Sequence, residues 1–107
     1  MPQKILPKKL KIVLDNYLRS LRDDHLPIQQ VVLFGSYAKG RAHQHSDVDL
    51  CIVSSRFSDP VHAIQYLLSR RKLDLRYPIE PIGFHPQDFR SDMAIIREIK
   101  EHGIRIF

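Results

Sequence analysis

The chain has 107 residues, which suits one domain and leaves no room for a second, since a domain usually takes about 100 to 200 residues. Hydrophobic residues make up 43% and charged residues 27%, a balance that indicates a globular chain and excludes an intrinsically disordered one. The net charge of +5 suits a nucleotide, a nucleic acid or an acidic protein surface and does not choose among them.

The first half of the chain has the apolar spacing of a helix followed by a strand. Apolar residues recur at helical spacing within residues 6–26, with Lys and Arg on the opposite face, and Pro27 is expected to end this helix. The continuous apolar run at residues 31–34 is typical of a buried strand. Residues 35–46, which are polar and contain glycine, are expected to connect it to the next element.

The second half alternates between strand and helix patterns. Residues 48–53 are expected to form a second strand, and residues 61–68 repeat apolar positions at helical spacing. Residues 79–84 resemble a third strand, which Pro78 and Pro81 restrict to an edge or an irregular position.

The carboxy-terminal residues predict a last helix and a short strand. Ser91 or Asp92 is expected to cap that helix, Gly103 to stop it, and residues 104–107 to add the strand. The order α-β-β-α-β-α-β predicts a small α/β (α+β) fold, with a mixed β-sheet and helices packed against it.

Targeting and redox features are few. No apolar run approaches the roughly 20 residues that span a bilayer, and residues 1–4 lack a signal-peptide core. The single cysteine, Cys51, is expected to be a packed thiol, and it excludes an internal disulfide or a zinc site built from several cysteines. We therefore expect one domain over residues 1–107, a cytoplasmic location and no membrane contact.

Residues 31–53 contain the polar side chains best suited to chemistry. Gly35 follows the apolar strand, and a turn or helix starting just after it would direct free N–H groups and the Ser36 hydroxyl toward an anionic phosphate. Asp47 and Asp49 alternate with apolar residues, so both carboxylates are expected on one strand face. Adjacent acids repel each other unless a cation lies between them, and carboxylate oxygens favour Mg²⁺ or Mn²⁺. The pattern predicts a site for phosphoryl or nucleotidyl transfer.

The order of short motifs in this segment is more specific than any one of them. The motifs are Gly35-Ser36, Ala38, Gly40-Arg41-Ala42 and Ser46-Asp47-Val48-Asp49-Leu50. Together they resemble the signature of DNA-polymerase-beta-type nucleotidyltransferases and, in so short a chain, the minimal nucleotidyltransferase branch. Residues 99–107 also resemble the last strand of such proteins. The resemblance implies a polymerase-beta-like fold and transfer of a nucleoside monophosphate from a nucleoside triphosphate, with ATP as the expected donor.

The resemblance implies that Gly35 and Ser36 bind the triphosphate. Arg41 and Lys39 are further candidates to contact phosphates, although exposed cations are common in a chain with a net charge of +5. Ser46 either contacts the nucleotide or caps the entry to the second strand. The nucleotide-binding prediction therefore comprises Gly35, Ser36, Arg41 and Ser46.

The resemblance also implies a metal site that performs the catalysis. Asp47 and Asp49 would bind two Mg²⁺ ions, one holding the triphosphate and one lowering the pKa of the attacking hydroxyl. A third carboxylate is expected on the next strand. Glu80 is our candidate, and Asp74 and Asp88 are the competing acids.

Relatives in the minimal branch imply a partner. Many resemble antitoxins that adenylylate, and thereby silence, a toxic ribonuclease with a helical HEPN domain. The chain would then move AMP onto a hydroxyl of a HEPN-domain toxin. Two alternatives remain, namely a non-catalytic nucleotide-binding module that masks its partner by contact, and a nucleic-acid-binding protein. The second is disfavoured because the chain has no Trp, and most of its four Tyr and five Phe lie in apolar patterns rather than among basic residues.

Overall fold

The computed structural model describes residues 6–72 and 74–107, so the signal-peptide expectation for residues 1–4 lies outside the described residues. Its elements, in chain order, are α1 (Lys8–Asp23), β1 (Ile28–Phe34), β2 (Val48–Ser54), α2 (Pro60–Ser69), β3 (Ile79–Phe84), a 3₁₀ helix (Asp88–Arg90), α3 (Ala94–His102) and β4 (Ile104–Arg105). This order confirms the predicted succession of helices and strands. Within the described ranges, no helix combines the length and the apolar character needed to cross a bilayer.

The strands form one mixed sheet in the order β3-β2-β1-β4, which confirms the predicted fold class. β1 pairs antiparallel with β2 and β4, whereas β2 and β3 are parallel. The register places Asp49 opposite Phe34 on one side and Glu80 on the other. β3 is an edge strand, as Pro78 and Pro81 predict. The end of β1 and the starts of β2 and β3 therefore lie at the same end of the sheet.

Alternating side chains on the strands build an apolar layer on each face of the sheet. On one face, α1 and α2 cover Leu33, Leu50 and Ile52, among other residues. On the opposite face, α3 and the 3₁₀ helix cover Val32 and Cys51. Cys51 is fully buried, and this burial raises the pKa of its thiol to about 12. The expectation of a packed thiol is therefore confirmed.

The prediction was that Pro27 ends helix α1, but the helix already ends at Asp23. The chain leaves the helix at His25, whose φ of 60° is left-handed. Its amide donates to the Arg22 carbonyl at 2.9 Å, and the next amide donates to the Leu21 carbonyl at 3.1 Å. These two bonds form a Schellman motif, which satisfies the last helical carbonyls without any need for proline.

The prediction that Ser91 or Asp92 caps α3 is wrong. Met93 is the residue that precedes the first helical turn, and it makes no side-chain capping bond to the described chain. Asp92 forms an ion pair instead, with its Oδ1 3.4 Å from Nε of Arg97. An ion pair to the fourth residue of the helix has replaced the expected cap.

The two strands beside the carboxyl terminus differ in length from the prediction. β1 begins at Ile28, before the apolar run, and its pairing with β2 is irregular between Ile28 and Gln30. β4 is shorter than residues 104–107, but the Ile106 amide still donates to the Val31 carbonyl at 2.8 Å. Polar residues thus extend β1, since backbone pairing does not depend on an apolar side chain.

Replacement of Leu50 by alanine tests the assignment of the core. Leu50 is fully buried between the sheet and the helices α1 and α2, so Leu50→Ala should lower the free energy of unfolding by about 2 to 5 kcal/mol. Ile12 on α1 is 58% exposed, and Ile12→Ala should change it by about 0.5 kcal/mol or less. Urea denaturation measures both variants, and similar losses in the two would contradict this description of the core.

Candidate active site at the shared end of three strands

A glycine with a left-handed backbone lies directly after β1. Gly35 has a φ of +77°, and a Cβ atom on it would collide with Oδ2 of Asp49 and lie 3.0 Å from the Cγ of that carboxylate. The strand register causes this contact, because Asp49 pairs with Phe34, the last residue of β1. Only glycine tolerates both this φ and this close approach. The Asp49 carboxylate therefore occupies the space that a side chain at position 35 would fill.

Residues 35–40 form a single turn of helical type rather than a helix. Gly40, with a φ of +69°, ends the turn. Its amide donates to the Tyr37 carbonyl at 3.4 Å, and the Arg41 amide donates to the Ser36 carbonyl at 2.8 Å. In a turn of helical type the amide just after the first residue, here that of Ser36, has no carbonyl partner within the turn and can donate to an anion. The role of Gly35 and Ser36 in phosphate binding stays a prediction.

Three acids meet at the same end of the sheet. Asp47 directly precedes β2 and shares the side-chain direction of Asp49, while Glu80 is the neighbour of Asp49 on β3. Partial burial raises the pKa of Asp49, and the negative charges of Asp47 and Glu80 raise it further. Asp47 and Glu80 are exposed, whereas Asp49 is half-buried. The structure therefore brings together the three carboxylates that the sequence singles out.

The donor chemistry of Asp47 and Asp49 fits a divalent cation. Their mutual repulsion, which contributes to the raised pKa of Asp49, would be relieved by a bound cation. Mg²⁺ commonly takes one or two carboxylates and completes its shell with phosphate oxygens and water. Among residues 6–72 and 74–107, no three His, Cys, Asp or Glu side chains are grouped so as to hold a metal ion. The pair would thus depend on a phosphate ligand for the rest of the coordination.

Glu80 faces a cation of the protein itself. Nη1 of Arg71 lies 3.6 Å from Oε1 of Glu80 and donates a hydrogen bond to the Ile79 carbonyl at 2.6 Å. Sequence reasoning did not identify Arg71 as part of the site. No local pattern could have identified it, because the contact arises from the packing of α2 on β3.

The two competing acids lie in other surroundings. Asp74 Oδ1 accepts hydrogen bonds from the amides of Arg76 and Tyr77, at 2.8 and 2.9 Å, and so stabilises the loop before β3. Asp88 starts the 3₁₀ helix beyond the opposite end of β3. Asp74 is thus engaged by its own loop and Asp88 lies at the other end of β3, which leaves Glu80 as the acid directly beside Asp49.

The remaining polar candidates have separate environments. Ser46 Oγ accepts the His43 amide at 2.7 Å, which supports the capping alternative for this serine. Lys39 forms an ion pair with Glu98 of α3, so its charge is directed to that helix rather than to the acidic pair. The Arg41 side chain is exposed and has no ion pair within the described part of the chain. Arg41, directly after the turn, is therefore the better candidate of the two cations to contact a phosphate.

A cavity of about 390 Å³ opens beside the turn, and sequence reasoning missed it. Its lining includes Tyr37, His43, His45, Arg76 and Tyr77. The two tyrosine rings are tilted toward each other with centroids 6.3 Å apart. The described lining does not include the three acids, so the cavity adjoins the acidic site without containing it.

Comparison with known proteins gives the family. Residues 14–106 match the family model of the nucleotidyltransferase domain. The chain belongs to this family. The matched range includes the glycine turn and all three acids, and the resemblance predicted from the motifs is therefore confirmed. The search of curated proteins gave no match.

Solved structures of toxin–antitoxin pairs share the fold. A toxin–antitoxin crystal structure with AMP-PNP has a TM-score of 0.58 and 23% identity, over 87% of this chain and 72% of that chain. A structure of a mutant MntA toxin–antitoxin pair has a TM-score of 0.57 and 21% identity, over 87% of this chain and 71% of that chain. The structure of the MntA–HepT toxin–antitoxin pair has a TM-score of 0.54 and 18% identity, over 91% of this chain and 71% of that chain. At these identities the comparison establishes a common fold for this nucleotidyltransferase domain.

Gly35 and Gly40 offer a matched pair of substitutions. Both have positive φ, so alanine at either position should cost about 1 to 2 kcal/mol of backbone strain. At Gly40 nothing lies within 4 Å of the added methyl group, whereas at Gly35 it must displace the Asp49 carboxylate. We expect Gly35→Ala to lose more stability in urea denaturation and to lose Mn²⁺ binding that Gly40→Ala retains. Equal behaviour of the two variants would refute the proposed contact.

Neutralising Asp49 should stabilise the metal-free protein. Its ionised form is disfavoured by burial and by the two neighbouring acids, so Asp49→Asn should raise the melting temperature in EDTA while removing Mn²⁺ binding. Asp15→Asn, at an exposed position on α1, serves as the control and should change neither property. A lower melting temperature for Asp49→Asn would show that the carboxylates do not repel one another here.

Proposed function

We propose that the chain is a Mg²⁺-dependent nucleotidyltransferase that moves AMP from ATP onto a hydroxyl of a protein partner. The observation that carries this proposal is the contact of the Asp49 carboxylate with the backbone of Gly35. It joins a phosphate-binding turn to an acidic pair, so that a nucleotide held by the turn presents its phosphates to Asp47 and Asp49. Membership of the nucleotidyltransferase family supports the reaction class.

The proposed reaction is a displacement at the α-phosphorus of ATP. The acceptor hydroxyl oxygen forms a bond to this phosphorus, and the bond from the phosphorus to the oxygen that bridges to the β-phosphate breaks. Pyrophosphate leaves with the bonding electron pair, and the hydroxyl proton is released. The products are AMP joined to the partner through a phosphodiester bond, and free pyrophosphate.

The residues of the site have distinct roles in this proposal. The amide and the hydroxyl of Ser36 would hold the triphosphate, with Arg41 as an additional cation, so that the reacting atoms lie in line. Asp47 and Asp49 would hold two Mg²⁺ ions, and Glu80 would complete the site on the acceptor side. When bound, the ions supply neutralisation of phosphate charge and a lower pKa of the acceptor hydroxyl.

We propose an antitoxin role with a HEPN-domain toxin as the partner, in the cytoplasm and with residues 1–107 acting as one domain. The toxin–antitoxin structures that share the fold support such a partner, and the one with AMP-PNP supports an adenine nucleotide as the donor. Covalent modification would silence the toxin after the complex separates. Masking by contact would instead be lost on dilution below the dissociation constant.

The intact mass of the partner tests the reaction. With ATP and Mg²⁺, the wild-type chain should leave the partner heavier by whole AMP units, and Asp47→Asn should abolish the gain because a metal ligand is lost. Glu80→Gln should lower the rate strongly with little change in ATP affinity, since it would serve the acceptor side. Asp74→Asn and Asp88→Asn are the controls and should be close to wild type, because Asp74 accepts hydrogen bonds from its own loop and Asp88 lies beyond the other end of β3.

The same experiment distinguishes an enzyme from a masking module. The partner is assayed for its own activity after incubation with wild type or with the double variant Asp47→Asn/Asp49→Asn. Inhibition by both proteins without any gain in mass would contradict the enzymatic proposal and favour masking by contact.

A further inference from the structure

Arg71 lies where the third carboxylate of the site would act, and the proposed reaction gives it no role so far. It follows the carboxy-terminal end of α2, where its amide donates to the Leu68 carbonyl at 3.3 Å. Its guanidinium reaches the edge strand β3, donates to the Ile79 carbonyl at 2.6 Å and lies 3.6 Å from Oε1 of Glu80. One side chain thus connects the end of α2 with the residue that neighbours Asp49.

We propose that Arg71 is a positioning residue for Glu80, serving as its internal counter-ion and competing with the divalent cation for that carboxylate. This inference rests on the proposed function, because it assumes that Glu80 contributes to metal binding. In the metal-free protein, Arg71 pairs with Glu80 beside the acidic pair. When a cation binds at Asp47 and Asp49, Glu80 exchanges one positive partner for another.

The anchoring of Arg71 supports a defined position for its charge. The Ile79 carbonyl directly precedes Glu80 in the chain, so the hydrogen bond fixes the guanidinium at the start of β3. The side chain of Arg71 is 31% exposed, compared with 50% for Glu80, so the cation is the more restrained partner of the pair. Glu80 is therefore the group that is free to move.

The register of β2 and β3 keeps the distance small over which the Glu80 carboxylate must move. Glu80 and Asp49 are direct neighbours on parallel strands, whose spacing is about 4.8 Å. A change of side-chain rotamer at Glu80 is therefore sufficient to bring its carboxylate toward Asp49, without movement of the backbone. This geometry agrees with the lack of a three-ligand metal cluster among the described residues while Arg71 holds Glu80.

The magnitude of the effect follows from exposure. Ion pairs that water reaches change an equilibrium constant by up to about fivefold, because solvent screens the charges. Arg71 should thus adjust the metal affinity without blocking the site. Removal of its charge should leave Glu80 available to the cation from the start.

The test measures Mn²⁺ binding to the full chain without nucleotide, by the relaxation of water protons, which detects weak binding. Arg71→Gln removes the charge and keeps an N–H donor for the Ile79 carbonyl, and it should tighten Mn²⁺ binding about threefold to fivefold. Arg70→Gln removes the same charge from the adjacent, exposed arginine and is the matched control, with no more than a small change expected. In a Glu80→Gln background, Arg71→Gln should have no effect.

Each outcome decides the matter. Unchanged Mn²⁺ affinity in Arg71→Gln, or an equal change in Arg70→Gln or in the Glu80→Gln background, overturns the role of Arg71 and leaves the proposed function standing. Failure of the wild-type chain to bind Mn²⁺ at all overturns both. Circular dichroism checks the fold of every variant, and Arg71→Met, which keeps the aliphatic stem, replaces Arg71→Gln if the latter does not fold.

Discussion

The contact between the Asp49 carboxylate and the backbone of Gly35 is the constraint on which the site depends. It follows from the antiparallel register of β1 and β2, which places Asp49 opposite the residue just before the glycine. The buried neighbours Val48 and Leu50 hold β2 in this register, because a shift by one residue would move them off the face covered by α1 and α2 and turn the acid into that apolar layer. The apolar core thereby determines the distance between the turn at residues 35–40 and the acidic pair.

Three acids concentrate negative charge at this end of the sheet, although the chain as a whole is basic. Asp47, Asp49 and Glu80 raise the energy of the metal-free state, and Arg71 offsets part of it at the edge strand. Lys39 lies in the turn, but its side chain forms an ion pair with Glu98 on α3 and does not neutralise the acids. In the proposed function, the acidic pair is the part of the site that receives the external cation.

The sequence predicts those parts of the structure that depend on local patterns. The strand at residues 79–84 and the close association of Gly35 with the acids follow from apolar spacing and from an ordered motif. The left-handed residue His25 after α1 and the N-cap residue Met93 before α3 could not be predicted, because neither side chain is a usual sign of the backbone conformation found there. The Arg71 contact was missed for another reason, since it requires knowledge of how α2 packs on β3.

The most direct test of the central claim is a crystal structure of the chain with Mn²⁺ and a non-hydrolysable ATP analogue, with the metal located by anomalous scattering. We expect Mn²⁺ between the carboxylates of Asp47 and Asp49, and the triphosphate on the amides that follow Gly35. A metal ion elsewhere, or a triphosphate bound only in the cavity beside Tyr37 and Tyr77, would contradict this account.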